Sequence, residues 1–233
     1  MEKSEMKHAY LIMAHHEFEV LGKLVQAIDD KRNDIFIHFD AKLKSYPVLK
    51  AHNANLYILE KRIDIHWGHI SQIKAEYALF ETAFTQDRYA YYHLLSGVHL
   101  PLKSQDNIHC FFDNLEVLAH VPNSDYQTTL KMRRYNLFMK HFMHRNSFIR
   151  RISQISWRIC IRIQKELHIY RNRKQFYTNA ANWVSITDRC VSYLLQIKDD
   201  VLRKYRFTLC GDEFFIPSEL ELSDLKYRIY YDD

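Results

Sequence analysis

The stretch Tyr10-Leu11-Ile12-Met13-Ala14, then His15-His16-Glu17, then Phe18, Leu21, Leu24, Val25 and Ile28 at helical spacing, decides how this chain is read. A short continuous apolar run suits a strand buried on both faces, and apolar residues three and four apart suit a helix lying against it. The pattern recurs. Ile35-Phe36-Ile37-His38-Phe39 predicts a second strand ending at Asp40, Leu56 to Leu59 a third, and Tyr89 to Leu95 a fourth. Between the last two, Ile73, Tyr77, Phe80 and Phe84 mark one face of a helix. Strands alternating with helices imply an α/β fold with a mostly parallel central sheet flanked by helices. Asn182-Trp183-Val184-Ser185-Ile186 reads as a further strand, with Val191, Leu194 and Leu195 on the helix after it.

In such sheets ligands bind beyond the carboxyl ends of the strands. The polar clusters His15-His16-Glu17, Asp40-Ala41-Lys42 and Ser96-Gly97 fall there, so three strand ends should converge on one crevice. Only four glycines occur in the chain, and Gly68, Gly97 and Gly211 sit at the ends of apolar runs, where a sharp turn or a close approach is needed. Cys210-Gly211-Asp212-Glu213-Phe214-Phe215 presents two adjacent carboxylates before bulky aromatics. Two readings compete: a helix start in which Asp212 caps and Glu213 favours the dipole, and a carboxylate shielded from water and suited to act as a base.

At 233 residues, with 47% hydrophobic and 14% aromatic residues and no low-complexity stretch, the chain can bury the core of one domain spanning residues 1–233. The polar start and the short apolar run Ala9 to Ala14 predict neither a signal peptide nor a membrane span, hence a cytoplasmic protein. Cys110, Cys160, Cys190 and Cys210 are widely spaced, which fits reduced thiols better than a zinc site or disulfide scaffold. No Rossmann fingerprint, phosphate loop, His-Glu-x-x-His or nucleic-acid-binding motif is present. No two aspartates are separated by one residue, so a diphosphate would be met by Lys, Arg or helix N-termini, with no metal.

The net charge of +5 is uneven. Between Arg145 and Lys174 lie Arg150, Arg151, Arg158, Arg162, Lys165, Arg171 and Arg173 against the single acid Glu166, with Ile152, Ile155, Ile159 and Ile163 at helical spacing. This basic amphipathic segment, 145–174, has the character of a peripheral membrane contact on the inner face of the cell membrane. The plainer reading, preferred at this level, packs the helix on its own domain and leaves its cations solvated.

Taken in order, Ala9 to His16, Ile37 to Lys42, Trp67-Gly68, Leu94 to Gly97 with Pro101-Leu102-Lys103, Trp183 to Ile186 and Asp212 to Phe215 resemble the branching glycosyltransferases. These include the core-2 and I-branching β1,6-N-acetylglucosaminyltransferases and the peptide O-xylosyltransferases, and the chain looks like a short, bacterial-type member. The resemblance runs from about residue 8 to about residue 220. It implies a GT-A-like fold and an inverting, metal-independent transfer of N-acetylglucosamine or xylose from a UDP-sugar to a glycan or lipid-linked glycan. It also implies a nucleotide-binding half over about 1–110 and an acceptor-binding half over about 111–233. By its motifs Glu213 is the catalytic base, with Asp212 beside it, and Ala14, His15, His16, Asp40, Lys42 and Asp64 line the nucleotide. Trp67, Trp183 and Arg134, the last beside Lys131 and Arg133, are candidates for the acceptor side.

The chain departs from this pattern in three ways. A segment beyond the Asp-Glu motif that supplies diphosphate-binding cations in the relatives has no aligned counterpart, Lys226 and Arg228 being the nearest substitutes. Ala180 stands where a glycine is expected ahead of Trp183, and the relatives' stapling cysteines are missing. Loss of the cations leaves a second reading open, a catalytically inactive relative that binds UDP-sugars or glycans.

Overall fold

The computed structural model describes residues 6–113, 131–172 and 177–226; Arg173, Lys174 and Arg228 lie outside them. Strand β1 (His8–Ala14) sits between β2 (Asn33–Phe39) and β4 (Tyr91–Ser96) and is parallel to both. Strand β3 (Asn55–Ile58) runs parallel outside β2, and β5 (Ser185–Thr187) closes the other edge, antiparallel to β4. The order among the described residues is β3-β2-β1-β4-β5, a five-stranded, mostly parallel sheet in a GT-A-like α/β fold.

Every residue of β1 and β2 is buried, because both sheet faces are covered. Successive strand side chains point to opposite faces. Tyr10, Ile12 and Ala14 therefore pack with Leu21, Leu24 and Val25 of α1 (Phe18–Ala27). Ala9, Leu11 and Met13 face the larger core, where α2 (Ser71–Gln86) contributes Ile73, Tyr77 and Phe80. That core also takes Val191 and Leu194 of α5 (Asp188–Gln196), Tyr205 of α6 (Lys198–Tyr205) and Phe215 of α7 (Phe215–Glu221). The second half of the chain thus packs onto a helix of the first.

At the amino-terminal end of the sheet the buried polar residues pair with one another. His93 Nε2 lies 3.0 Å from His8 Nδ1, and His109 of α3 (Gln105–Asp113) lies 2.9 Å from Asn33 Oδ1. Tyr89 Oη donates to Asp34 at 2.8 Å. Burial, with the charge of His109 adding to it, holds His8 down to about 3, and burial likewise holds His93 well below the usual histidine range.

Two expectations change, and that for Gly211 becomes specific. The strand read at Asn182 to Ile186 is shifted to Ser185–Thr187, and it is antiparallel. Gly211 is needed for close approach: a Cβ there would meet Ile73, Tyr205 and Thr208 at 3.2–3.4 Å, while the left-handed φ of the turn falls on Cys210, at 53°. The basic helix α4 (Ser147–Glu166) does not pack by its isoleucines; its inward face is the polar one, with Ser153 and Gln164 buried, and Ile152, Ile155, Ile159 and Ile163 are exposed. The segment beneath it presents the backbone carbonyls of Tyr135, Phe138 and Phe142, which polar side chains of the helix meet. Ser153 Oγ donates to Phe138 O at 2.6 Å, Trp157 Nε1 to Asn136 Oδ1 at 3.1 Å and Gln164 Nε2 to Tyr135 O at 3.0 Å.

Candidate active site

The carboxyl ends of β1, β2 and β4 meet at Ala14. Gly97 follows β4 and donates its N–H to Met13 O at 2.9 Å, and a Cβ on it would stand 3.1 Å from the Ala14 Cβ, so the two strand ends touch. Asp40, buried at the end of β2, donates its N–H to Ala14 O at 3.0 Å. Its carboxylate accepts from Lys42 N and pairs with Lys42 Nζ, each at 2.8 Å. Lys42 Nζ also meets Asp64 Oδ1 at 3.2 Å and donates to Ile65 O, and His66 Nε2 lies 2.9 Å from Asp64 Oδ2. Burial works upward on Asp64 and is outweighed by His66 and Lys42, which hold its carboxyl below the ordinary value. His15 and His16 are exposed beyond β1 with rings stacked at 4.0 Å; burial and the charge of His16 depress His15.

The segment from Asp64 to α2 links this cluster to the Asp-Glu turn. His66 N donates to Ser71 Oγ at 2.8 Å. Gly68 has φ +65°, a left-handed conformation favourable to glycine, and accepts the Cys210 N–H on its carbonyl at 3.1 Å. Its own N–H donates to Gln72 Oε1 at 2.6 Å, and Gln72 Nε2 donates onward to Asp212 Oδ2 at 2.7 Å. Asn182 Nδ2 reaches the same oxygen at 3.5 Å, and Ala180 N donates to Glu213 O at 2.8 Å. Trp67-Gly68, Ala180 to Trp183 and Asp212-Glu213, which are far apart in sequence, thus converge.

Residues Gly211–Glu213 form a single 3-10 turn that runs into α7, and neither helix start carries a side-chain cap. The capping reading of Asp212 therefore fails. The shielding falls on Asp212, which is buried, whereas Glu213 is half-buried. Phe214 and Phe215 are fully enclosed and turn into the core, which draws Asp212 inward with them. Burial pushes the Asp212 carboxyl up to about 7, and the neighbouring Glu213 adds to the rise. Burial also pushes the Cys210 thiol up to about 12, with Asp212 and Glu213 adding and the charge of Lys131 opposing, which puts Lys131 within electrostatic range of this turn.

Glu76 was missed by sequence reasoning. It is fully buried one turn beyond Gln72 on α2, both carboxyl oxygens lack a hydrogen-bond partner among the described residues, and burial together with Asp212 raises its pKa well above the usual range. An isolated carboxylate buried in this way is held neutral. Its signal was present: residue 76 lies on the same helical face as Ile73, Tyr77 and Phe80, where an acid has no solvated direction.

Trp67 is half-exposed and stacks on Phe142 at 6.1 Å, and Trp183 meets His99 edge-on at 5.1 Å. Arg134 is half-buried with its Nε unpartnered among the described residues, and no described hydrogen bond or ion pair joins it to the turn. Lys226 follows α7 and is exposed. Among the described residues no group of three or more His, Cys, Asp or Glu is placed to hold a metal ion.

A mostly parallel sheet whose carboxyl strand ends gather carboxylates and histidines has the layout of a ligand site of the open α/β class. The sequence model of the Core-2/I-Branching enzyme family matches residues 8–226, and the chain belongs to that family. It is thus a glycosyltransferase of the core-2/I-branching type, with a sugar donor and a glycan acceptor as substrates. Compared with curated proteins one by one, the chain matches none.

Proposed function

We propose that the chain inverts configuration while transferring N-acetylglucosamine or xylose from a UDP-sugar to a hydroxyl of a glycan or lipid-linked glycan, without a divalent metal, in the cytoplasm. Ala14, His15, His16, Asp40, Lys42 and Asp64 hold the nucleotide, and Trp67, Trp183 and Arg134 lie on the acceptor side. Glu213 takes the proton of the acceptor hydroxyl as its oxygen attacks the anomeric carbon from the face opposite the diphosphate. The bond to UDP breaks and its electron pair leaves on the diphosphate. Base assistance of this kind contributes about a hundred- to ten-thousand-fold. The observation that supports the reading is a pair of contact sets, one joining Ala14, Asp40, Lys42 and Asp64 and the other Gly68, Gln72 and Asp212, linked by the backbone from Asp64 to Gly68, with the half-buried Glu213 next to Asp212. The absence of an Asp-x-Asp pair supports metal independence, and the widely spaced cysteines fit a reducing compartment.

One observation favours a second reading, a binding protein without turnover: Lys42, the cation of the donor cluster, is already paired with Asp40 and Asp64. Stability shifts with a panel of UDP-sugars, followed by a transfer assay, separate the two, because a ligand of the native state raises its stability. Glu213→Gln should abolish transfer while leaving UDP affinity nearly unchanged, Asp40→Ala should weaken UDP binding, and EDTA should have no effect. Binding with no turnover in the wild type establishes the second reading; full activity of the Gln variant removes Glu213 from the mechanism.

A further inference from the structure

Helix α4 is built inside out. A helix lying on its own domain in water turns its apolar stripe inward and its polar residues outward. Here Ser153 and Gln164 are buried at 5% and 7% exposure, while Ile152, Ile155, Ile159 and Ile163 are each between 44% and 53% exposed. Phe148, at 70%, extends the row toward the helix start. At intervals of three and four residues these five side chains form one continuous stripe along a helix of 20 residues, roughly 30 Å long. The inward face is fixed by hydrogen bonds to Tyr135, Asn136, Phe138 and Phe142, so the helix cannot roll to hide the isoleucines without breaking them. Asn146 caps its start, accepting from Phe148 N at 2.9 Å.

Beside the apolar stripe, Arg151, Arg158, Arg162 and Lys165 form a second row, all exposed, and Glu166 is the only acid between Ser147 and Glu166. A second copy of this chain would bring that cationic row against its own likeness, and like charges oppose such a contact. An anionic surface that accepts apolar side chains alongside the cations matches both rows. We propose that α4 docks the protein on an anionic lipid surface, its isoleucines entering the boundary between headgroups and acyl chains and its arginines meeting lipid phosphates. Among the described residues no helix is long and apolar enough to cross a membrane, so the contact lies in the interface plane.

The docked helix sits close to the candidate site. Trp157, on its inward face, meets Phe142 at 5.4 Å, and Phe142 stacks on Trp67, the residue before Gly68. The docking does not depend on the sugar-transfer reading and can hold whether or not transfer is found.

The test is co-sedimentation of the full chain with large vesicles, comparing phosphatidylglycerol-rich with pure phosphatidylcholine membranes at low and high salt. Partition should favour the anionic vesicles by tenfold or more and weaken with salt. The double variants Ile155→Glu with Ile159→Glu, and Arg158→Glu with Arg162→Glu, should each lose tenfold or more of the binding at unchanged melting temperature, because all four side chains are exposed. Equal partition into neutral and anionic vesicles, wild-type binding by both variants, or a concentration-dependent dimer dispersed by the isoleucine pair would overturn the proposal.

Discussion

The side-chain amide of Gln72 donates a 2.7 Å hydrogen bond to Asp212, a residue 140 positions further along the chain. The same amide accepts from the backbone of Gly68, so one side chain ties the tryptophan-glycine motif to the Asp-Glu turn. Replacing Gln72 with Leu leaves the Gly68 N–H without its acceptor and Asp212 Oδ2 with only the 3.5 Å contact from Asn182. A loss of about 1–3 kcal/mol is expected in urea denaturation, since buried polar groups would be left unsatisfied. Transfer activity should fall with it, while Gln72→Glu, which keeps the acceptor for Gly68 and loses the donor, should separate the two bonds.

Asp212 should make stability depend on pH in a direction opposite to that of most carboxylates. Its folded pKa, about 7, lies above the ordinary aspartate value of 3.8, so its contribution is fully present below about pH 4 and is lost as pH rises through 7. Asp212→Asn keeps an oxygen for Gln72 and cannot ionise. Relative to wild type, the Asn variant should therefore gain roughly 2 kcal/mol between pH 5 and pH 8 in paired denaturation curves. A pH-independent difference would show that Asp212 does not change protonation there.

The histidines at the other end of the sheet act with the opposite sign. His8 and His93 are held neutral in the fold with pKa values below 6.5, so their contribution is present above that value and is lost as pH falls. His8 faces His93, His109 and the charge of Arg32, none of which favours an added proton. His8, held down to about 3, is worth about 2 kcal/mol between pH 6.5 and 5, and His93 acts in the same direction. His93→Gln should flatten this acid limb of the stability profile, whatever its effect at pH 7.5.

Gly68→Ala tests the motif turn. With φ at +65°, a Cβ there would lie 2.9 Å from Leu209 Cδ1, so the substitution adds left-handed strain of about 1–2 kcal/mol and displaces Leu209. Thermal unfolding should register the strain. The Cys210 N–H bonds the Gly68 carbonyl, so activity should fall further than stability alone accounts for.

The alternation of strands and helices through residue 96 could be read from sequence because β1 and β2 are buried on both faces, leaving uninterrupted apolar runs that few other environments permit. The strand ends were legible for the same reason, since Asp40 and Gly97 stand where those runs stop. The orientation of α4 was not. Periodicity defines two faces and says nothing of which one points inward; the choice was made by the backbone groups of residues 135–142, invisible in the helix's own sequence. Likewise the Asp-Glu pair announced a shielded acid without saying which of the two was shielded, because that depends on how the turn enters the core with Phe214 and Phe215. Glu76 was hidden by its type, an acid on a helix being commonly solvated.

The stretch from Asp64 to Gln72 has one further consequence. It carries the Lys42-paired carboxylate at one end and the amide that grips Asp212 at the other, with Ser71 and Gly68 pinned between them. It therefore works as a ruler of fixed backbone length: the span between the two groups is set by a count of residues and not by the stacking of strands. Lengthening it by a single residue would put the Lys42-paired carboxylate and the Gln72 amide out of step while leaving the sheet beneath untouched.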